Sequence, residues 1–200
     1  MPKILIRAAL AASVLAMFGL VAAGLGAQAA DTGAAPAKPP MAKPAKLSRL
    51  AARGKYLVTF GSCLDCHTPG YFFGKPDMNR FLGGSDVGFL IPGLGIFVGP
   101  NLTSDKETGL GKWTRAQIVT ALTTGRTPDG RELAPVMPWH AYAHLTKYDA
   151  NAIAAFLQTL PPVKNQVAGP FGPNEKPSVA VMMVVPPQDY PPGPSAPPAK

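Results

Sequence analysis

Both cysteines of this 200-residue chain stand in one short stretch, "GSCLDCHTPG", at residues 61–70. Two residues separate Cys63 from Cys66, and His67 directly follows the second cysteine. Thiolate sulfur and imidazole nitrogen bind metal ions, and thiols also form disulfides and covalent links to cofactors. Side chains three positions apart share one face of a helical turn. We therefore expect Cys63, Cys66 and His67 to act together.

Three kinds of chemistry fit the two cysteines without using the whole motif. A disulfide here would close a very small loop and would constrain the unfolded chain little. A thioredoxin-like redox pair needs a βαβ setting, which the helical patterns of this chain do not supply. A zinc site would add His140 and His144, but 73 residues separate Cys66 from His140, against about 12 to 15 in a zinc finger.

The fourth interpretation uses every residue of the motif, because C-x-x-C-H is the attachment signature of c-type haem. Cys63 and Cys66 would form thioethers to the two vinyl groups of one porphyrin, and His67 would reach the iron. The sequence thus predicts one covalently bound haem c.

The N-terminus has the features of an export signal. Lys3 and Arg7 precede an apolar run at 8–27, and "AQA" at 27–29 is a small-x-small cleavage pattern. We expect residues 1–29 to be a signal peptide, with an uncleaved membrane anchor as the alternative. Both place the rest of the chain outside the cytoplasm, in the periplasm, with membrane contact only if the segment stays uncleaved.

The formal net charge is +8, which favours acidic partners or anionic membranes. The cations are spread along the chain, without the concentrated basic stripe that nucleic acid requires. An exported protein of this kind is not expected to bind nucleic acid.

Composition divides the rest of the chain. Residues 30–46 are mostly Ala, Pro and Lys and are predicted to form a linker. Residues 47–162 carry the helical patterns and form the expected domain, which includes a long glycine-rich loop at 70–100. Residues 163–200 form a Pro-rich tail, in which 178–185 could lie extended against the domain.

Helical periodicity appears at 47–60, 114–125 and 146–160. Ser48 is the predicted N-cap of the first helix, and Thr114 with Gln117 and Thr146 with Asp149 are predicted capping boxes of the other two. Gly54 lies inside the first of these helices, which suggests that another helix crosses closely there. Within the glycine-rich loop, "FLIPGLGIFVGP" at 89–100 suggests a short hairpin.

The order of these features resembles the bacterial monohaem cytochrome c fold. A glycine-containing helix enters "CLDCHTPG", and then follow "GPNLTSDKETGLGKWT", "TPDGRELAPVMPW" and a C-terminal helix. More narrowly, 47–162 resembles the cytochrome c domains that serve as electron-transfer subunits of periplasmic alcohol, aldehyde and related dehydrogenases. The resemblance implies an all-α fold of about four to five helices around one haem, with extended Pro-rich ends. Many of those subunits carry three haem motifs, whereas this chain has one.

Met137 is the expected second axial ligand of the iron. It occupies the position of the axial methionine in the family pattern "MPW", and thioether sulfur suits haem iron. Pro135 and Pro138 stiffen the surrounding loop. The competing ligands are Met78, His140 and His144, and bis-histidine ligation stays open.

The resemblance also suggests which polar side chains lie near the haem. The "PNLT" stretch implies that Asn101 and Thr103 approach it, and Trp139 would donate its indole N–H to a propionate. Plain core packing is the alternative for Trp139.

These features predict a one-electron carrier rather than an enzyme, with no catalytic residues. A periplasmic dehydrogenase would be the electron donor, and another cytochrome or a terminal oxidase the acceptor. Two alternatives stay open: a tightly bound subunit of a dehydrogenase complex, and a haem enzyme or gas sensor with an open axial site.

Overall fold

The computed structural model describes residues 46–189, whose regular secondary structure is mainly helical. The helices, in chain order, are α1 (Arg49–Phe60), α2 (Cys63–His67), α3 (Arg115–Thr124), α4 (Trp139–Tyr142) and α5 (Lys147–Leu157). Three short strands, β1 (Val87–Ile91), β2 (Gly95–Val98) and β3 (Ala180–Met182), form one sheet. The number of helices agrees with the prediction, while the sheet goes beyond an all-α description.

Helix α1 begins where the sequence places it, because the Ser48 hydroxyl accepts a hydrogen bond from the Ala51 backbone N–H at 3.1 Å. Its buried side packs on α5 at Gly54. A Cβ atom at Gly54 would overlap the Ala152 carbonyl and lie 2.8 Å from Cβ of Phe156. The predicted close crossing of two helices is therefore confirmed.

Helices α3 and α5 begin at predicted caps. Thr114 and Gln117 form a reciprocal capping box, and Thr146 accepts from the Asp149 backbone N–H. Gly125 ends α3 in a left-handed conformation with φ +72°, which glycine adopts without steric cost. These local signals fix the helix ends around a shared core.

The core lies between α1, α3 and α5. Its main cluster of buried side chains comprises Val58, Leu82, Ile118, Leu122, Ile153, Ala154, Phe156, Leu157 and Leu160. Residues from both sides of the cysteine motif thus contribute to one apolar interior, which fixes α2 at its edge.

The sheet has the order β2-β1-β3. Strands β1 and β2 pair antiparallel, which confirms the short hairpin expected in the glycine-rich loop. Strand β3 runs parallel to β1, with Val87 opposite Ala180. Part of the predicted tail therefore lies extended against the domain, as the sequence suggested for 178–185.

Further contacts attach the start of the tail to the helical domain. Asn101 Nδ2 donates to the Val163 carbonyl at 2.7 Å, and Asn165 Nδ2 donates to the Gly83 carbonyl at 2.7 Å. A domain boundary at residue 162 stays a prediction, but the residues that follow it contact this domain.

Across residues 46–189, no helix is long and apolar enough to cross a membrane. The apolar run at 8–27, the cleavage pattern and all of the predicted linker except Lys46 lie outside the described residues.

Candidate haem site

The cysteine motif forms its own short helix, α2, which directly follows α1. Gly61 ends α1 by donating its backbone N–H to the Leu57 carbonyl at 2.8 Å. Ser62 takes a left-handed conformation with φ 51°. This sharp turn separates the axes of two helices and leaves Cys63 and Cys66 half-buried on one turn.

The two thiols are free, and their surroundings disfavour the thiolate form. Burial raises the pKa of Cys63 to about 11 and also raises the pKa of Cys66. Redox-active pairs have the opposite property, since their thiolates are stabilised by a lowered pKa. The environment therefore argues against a thioredoxin-like function.

His67 is the most enclosed member of the motif, with 5% of its surface exposed. Burial lowers its pKa, so the ring is neutral. Its Nδ1 lies 2.8 Å from the Pro100 carbonyl oxygen, which can only accept, so Nδ1 carries the proton. That tautomer leaves the Nε2 lone pair available for a metal ion, in the way that ligating histidines are oriented.

Two distant segments hold the C-terminal end of α2. A Cβ atom at Gly99 would overlap the Cys66 carbonyl oxygen, so the 99–100 backbone passes directly against the motif. The Gly84 backbone N–H donates to the His67 carbonyl at 2.8 Å. These contacts fix the position of the imidazole.

Thr68 and Leu82 add a buried contact beside the motif. The Thr68 hydroxyl accepts from the Leu82 backbone N–H at 2.9 Å, and neither residue is exposed. Leu82 has φ 57°, an unfavourable conformation for a branched side chain. This hydrogen bond stabilises that conformation, which directs Leu82 into the core.

Met137 is half-buried and packs against the same core cluster as Cys63. Its backbone N–H donates to the Ala134 carbonyl at 2.9 Å, and α4 begins two residues later. The thioether is thus held in a turn at the edge of the core. Iron ligation by Met137 stays a prediction.

The competing ligands have less enclosed surroundings. Met78 lies exposed in a short 3₁₀ turn, and His140 and His144 are exposed on and beside α4. Within residues 46–189, no three His, Cys, Asp or Glu side chains are grouped so that they could hold a metal ion.

Asn101 and Thr103 are buried, and their side chains bond to each other and to neighbouring loops. Asn101 Oδ1 accepts from the Thr103 backbone N–H and hydroxyl, while its Nδ2 donates to Thr108 Oγ1 and the Val163 carbonyl. These four bonds use the ordinary capacity of an amide. The pair ties the loop to the start of the tail, and contact with haem stays a prediction.

Trp139 begins α4 and lies across Gly125, where a Cβ atom would be 2.6 Å from the indole ring. The ring also faces His140, with 3.4 Å between ring centroids. This contact agrees with the packing alternative, and the proposed bond to a propionate stays a prediction.

Sequence reasoning missed Tyr142, Gly99, Pro100 and Thr68. The Tyr142 hydroxyl lies 3.5 Å from the Gly61 carbonyl oxygen, beside Cys63, and burial raises its pKa. Only the Gly-Pro step at 99–100 carried a signal, because a glycine before a stiff residue suggests a close backbone approach.

These residues fit a covalently attached haem. Two free sulfur atoms lie on one helical turn, and the neighbouring imidazole has Nδ1 fixed and Nε2 available. A thioether packs against the same cluster as the first cysteine. A mostly helical domain with this donor set defines the class of c-type haem proteins.

Comparison with known proteins gives the family. The family model described as "Cytochrome c" matches residues 51–161, more than half of the chain, and the chain belongs to this family. A cytochrome c domain implies covalently bound haem c and points to an electron carrier rather than to a catalytic enzyme.

Several curated relatives are cytochromes or cytochrome subunits. The chain is 35% identical over 118 residues to "Diheme cytochrome c-type" of Cereibacter sphaeroides, covering 59% of this chain and 38% of the relative. It is 34% identical over 112 residues to "Fructose dehydrogenase cytochrome subunit" of Gluconobacter japonicus, covering 54% and 22%. It is 33% identical over 121 residues to "Alcohol dehydrogenase (quinone), cytochrome c subunit" of Gluconobacter oxydans, covering 56% and 24%.

The chain therefore spans well under half the length of these relatives. The similarity concerns one cytochrome c domain that is homologous to electron-transfer subunits of dehydrogenases.

Proposed function

We propose that this protein is a periplasmic one-electron carrier with a single haem c. Cys63 and Cys66 would attach the haem, and His67 and Met137 would be the ligands of its iron. The observation that carries the proposal is the buried His67 ring, whose Nδ1 is fixed by Pro100 and whose Nε2 is left for a metal. A single C-x-x-C-H motif supports one haem.

Haem supplies the one-electron chemistry, and the protein sets its ligands and surroundings. The Pro100 carbonyl fixes the tautomer of His67 and increases the basicity of the ring as a ligand. A methionine sulfur as the second ligand would favour the reduced iron and raise the reduction potential. Both ligands come from buried or half-buried positions, which restricts access of water.

The partners follow from the relatives. Cytochrome subunits of fructose and alcohol dehydrogenases share the domain, and this supports a dehydrogenase as electron donor. The protein then passes the electron to the respiratory chain, with another cytochrome or a terminal oxidase as its acceptor. The export pattern in the first 29 residues supports location in the periplasm.

A permanently bound subunit of a dehydrogenase complex is the second candidate. It is favoured by three consecutive exposed apolar residues at the end of β3, Met182, Met183 and Val184, the last of them 96% exposed. A stoichiometric partner that stays attached through purification would support this candidate, and a monomeric protein in cell extracts would contradict it.

The test is the visible spectrum of the exported protein and of Met137→Ala, with and without carbon monoxide. The wild type should be low-spin in both oxidation states and should not bind the gas, because both axial positions are filled. Met137→Ala should bind carbon monoxide in the ferrous state and lose the methionine–iron absorption band. Met78→Ala, which changes an exposed methionine, is the matched control and should match the wild type.

Ready binding of carbon monoxide by the wild type would contradict the carrier function and favour an open-site enzyme or sensor. Unchanged spectra in Met137→Ala would remove Met137 as ligand, and absence of covalent haem would contradict the whole proposal.

A further inference from the structure

The outer side of α1 carries an exposed row of large side chains. Arg49, Arg53, Tyr56 and Phe60 are spaced by four, three and four residues, so they share one helix face. All four are exposed, with 57% of Tyr56 and 78% of Phe60 accessible to solvent. The opposite side of the same helix packs on α5 through Ala51, Gly54 and Val58.

These side chains are ordered against one another. The Tyr56 and Phe60 rings stack with centroids 6.1 Å apart and planes 13° from parallel. The Arg53 guanidinium lies over the Tyr56 ring at 5.4 Å and also bonds to Asp149 at 2.9 Å. Tyr148, next to Asp149, is exposed as well. We call Arg49, Arg53, Tyr56, Phe60 and Tyr148 the aromatic–arginine face.

The composition of this face is that of a protein interface. Tyrosine and arginine are enriched among the residues that dominate binding energy in protein complexes. A contiguous exposed aromatic group also costs solvation free energy unless something covers it. Two stacked rings and a guanidinium held by a carboxylate form a surface of defined shape, and such preorganisation increases affinity for a matching surface.

The charge of the face indicates what covers it. Arg49 and Arg53 lie on this face, and Lys55 is exposed on a neighbouring side of α1. The nearby carboxylate is Asp149, which is already bonded to Arg53. The excess of positive charge matches the formal net charge of +8 and requires an acidic surface on the partner.

The position of the face connects it with electron transfer. Phe60 is the last residue of α1, and Cys63 begins the next helix. A protein that covers Phe60 would therefore approach the attachment point of the haem, as weak electron-transfer complexes require.

We propose that the aromatic–arginine face is the docking surface for an acidic redox protein that exchanges electrons with the haem. This inference rests on the proposed carrier function and assigns the surface through which it acts. The stacked rings and the Arg53–Asp149 pair define a shape that a partner protein can match, and this favours a protein over a lipid headgroup layer as the occupant.

The experiment measures stopped-flow reduction of the full-length haem-containing protein by two donors. One is a plant-type ferredoxin, an acidic and strongly reducing protein, and the other is uncharged hydroquinone. Arg49→Gln/Arg53→Gln and Tyr56→Ser/Phe60→Ser test charge and aromatic contact separately.

Two control variants remove cations or an exposed apolar side chain elsewhere on the domain. Lys112→Gln/Arg115→Gln removes two cations near the other end of α5, where Arg115 bonds to Gln158. Leu94→Ser removes an exposed apolar side chain from the hairpin turn.

The arginine variant should lower the second-order rate constant with ferredoxin about tenfold at low salt, because opposite charges steer the encounter. The wild-type rate should fall with added salt, and that dependence should weaken in the variant. The aromatic variant should lower the rate several-fold. Neither should alter reduction by hydroquinone, and both controls should match the wild type.

Equal losses in the control variants, or no loss in either face variant, would overturn the docking surface. So would face variants that lose binding to phosphatidylglycerol vesicles while their ferredoxin rates stay unchanged, since that result would assign the face to a membrane. If neither ferredoxin nor hydroquinone reduces the wild-type haem, the carrier function itself fails and the docking role with it. A loss confined to ferredoxin leaves the carrier function intact.

Discussion

Gly99 sets how closely a distant loop approaches the haem motif. Its position against the Cys66 carbonyl brings Pro100 within 2.8 Å of His67 Nδ1. A larger residue at position 99 would move the acceptor that fixes the imidazole. The position of His67, an expected iron ligand, thus depends on Gly99, which has no side chain and lies 32 positions further along the chain.

Gly99→Ala should therefore weaken both the fold and the haem site. The added methyl group overlaps backbone, which cannot rotate away, and overpacking of this kind costs about 1–3 kcal/mol or more. We expect a lower free energy of unfolding in urea and a changed reduction potential. Gly172→Ala is the control, because the nearest heavy atom to its Cβ would be at 3.9 Å, an ordinary contact. If both variants unfold at the same urea concentration, Gly99 has no such role.

The sequence predicted some site residues and not others for a physical reason. Cys63, Cys66 and His67 lie on one turn, so their spacing alone brings them together. Pro100 acts on His67 across 33 positions, and nothing local encodes that approach. The roles of Met137, Asn101, Thr103 and Trp139 toward haem likewise stay predictions.

Helices α1 and α5 cross at a point where backbone meets backbone. Gly54 lets α1 approach the Ala152 carbonyl, and alanines at 150, 152, 154 and 155 give α5 a small surface there. Intrinsic helix propensity favours alanine over glycine by about 1 kcal/mol. The close packing at the crossing therefore requires glycine at position 54, although helix propensity favours alanine there.

Gly54→Ala compares the gain in helix propensity with the cost of the overlap at the crossing. We expect a net loss of about 1–3 kcal/mol, because the overlap with Ala152 separates two core helices. Ala52→Gly on the exposed side of α1 should cost about 1 kcal/mol through propensity alone. Denaturant unfolding of both variants gives the comparison. A Gly54→Ala variant that is more stable than the wild type would show that the crossing has room for a methyl group.

Local sequence signals predicted the helix ends and the hairpin correctly, but they did not predict how β3 pairs with β1. Ser48, Thr114 and Thr146 cap helices where the sequence placed them, because a cap depends on the next three residues. The glycine-rich hairpin was likewise encoded by its own turn. Nothing local to 178–185 specified a parallel partner or its register against Val87.

The whole domain depends on chain that follows its last helix. Val163 and Asn165 bond to loops beside the site, and Phe171 is buried and pairs with Ile96 of β2. Strand β3 then extends the sheet. The stable unit thus extends past the last helix, although the candidate haem site lies among the helices that precede this segment.

Truncation tests this dependence. A chain that ends at Pro162 should lose at least about 3 kcal/mol of unfolding free energy, since removal of a buried phenylalanine alone costs that much. A chain that ends at Pro186 keeps these contacts and should match the full-length protein. Both are measured by urea unfolding with haem attached. If the two truncated chains have equal unfolding free energies, residues 163–186 do not stabilise the domain.

The parallel pairing of β3 also sets the order in which the structure can be completed. Val87 has its partner at Ala180, across more than ninety residues of chain, whereas the cysteine motif and α1 are adjacent in sequence. A chain that emerges from its N-terminal end exposes the haem attachment residues long before the residues that complete the sheet. Contacts between residues so far apart in sequence form slowly. The cysteine motif is therefore complete in the emerging chain before the glycine-rich loop has the last strand of its sheet.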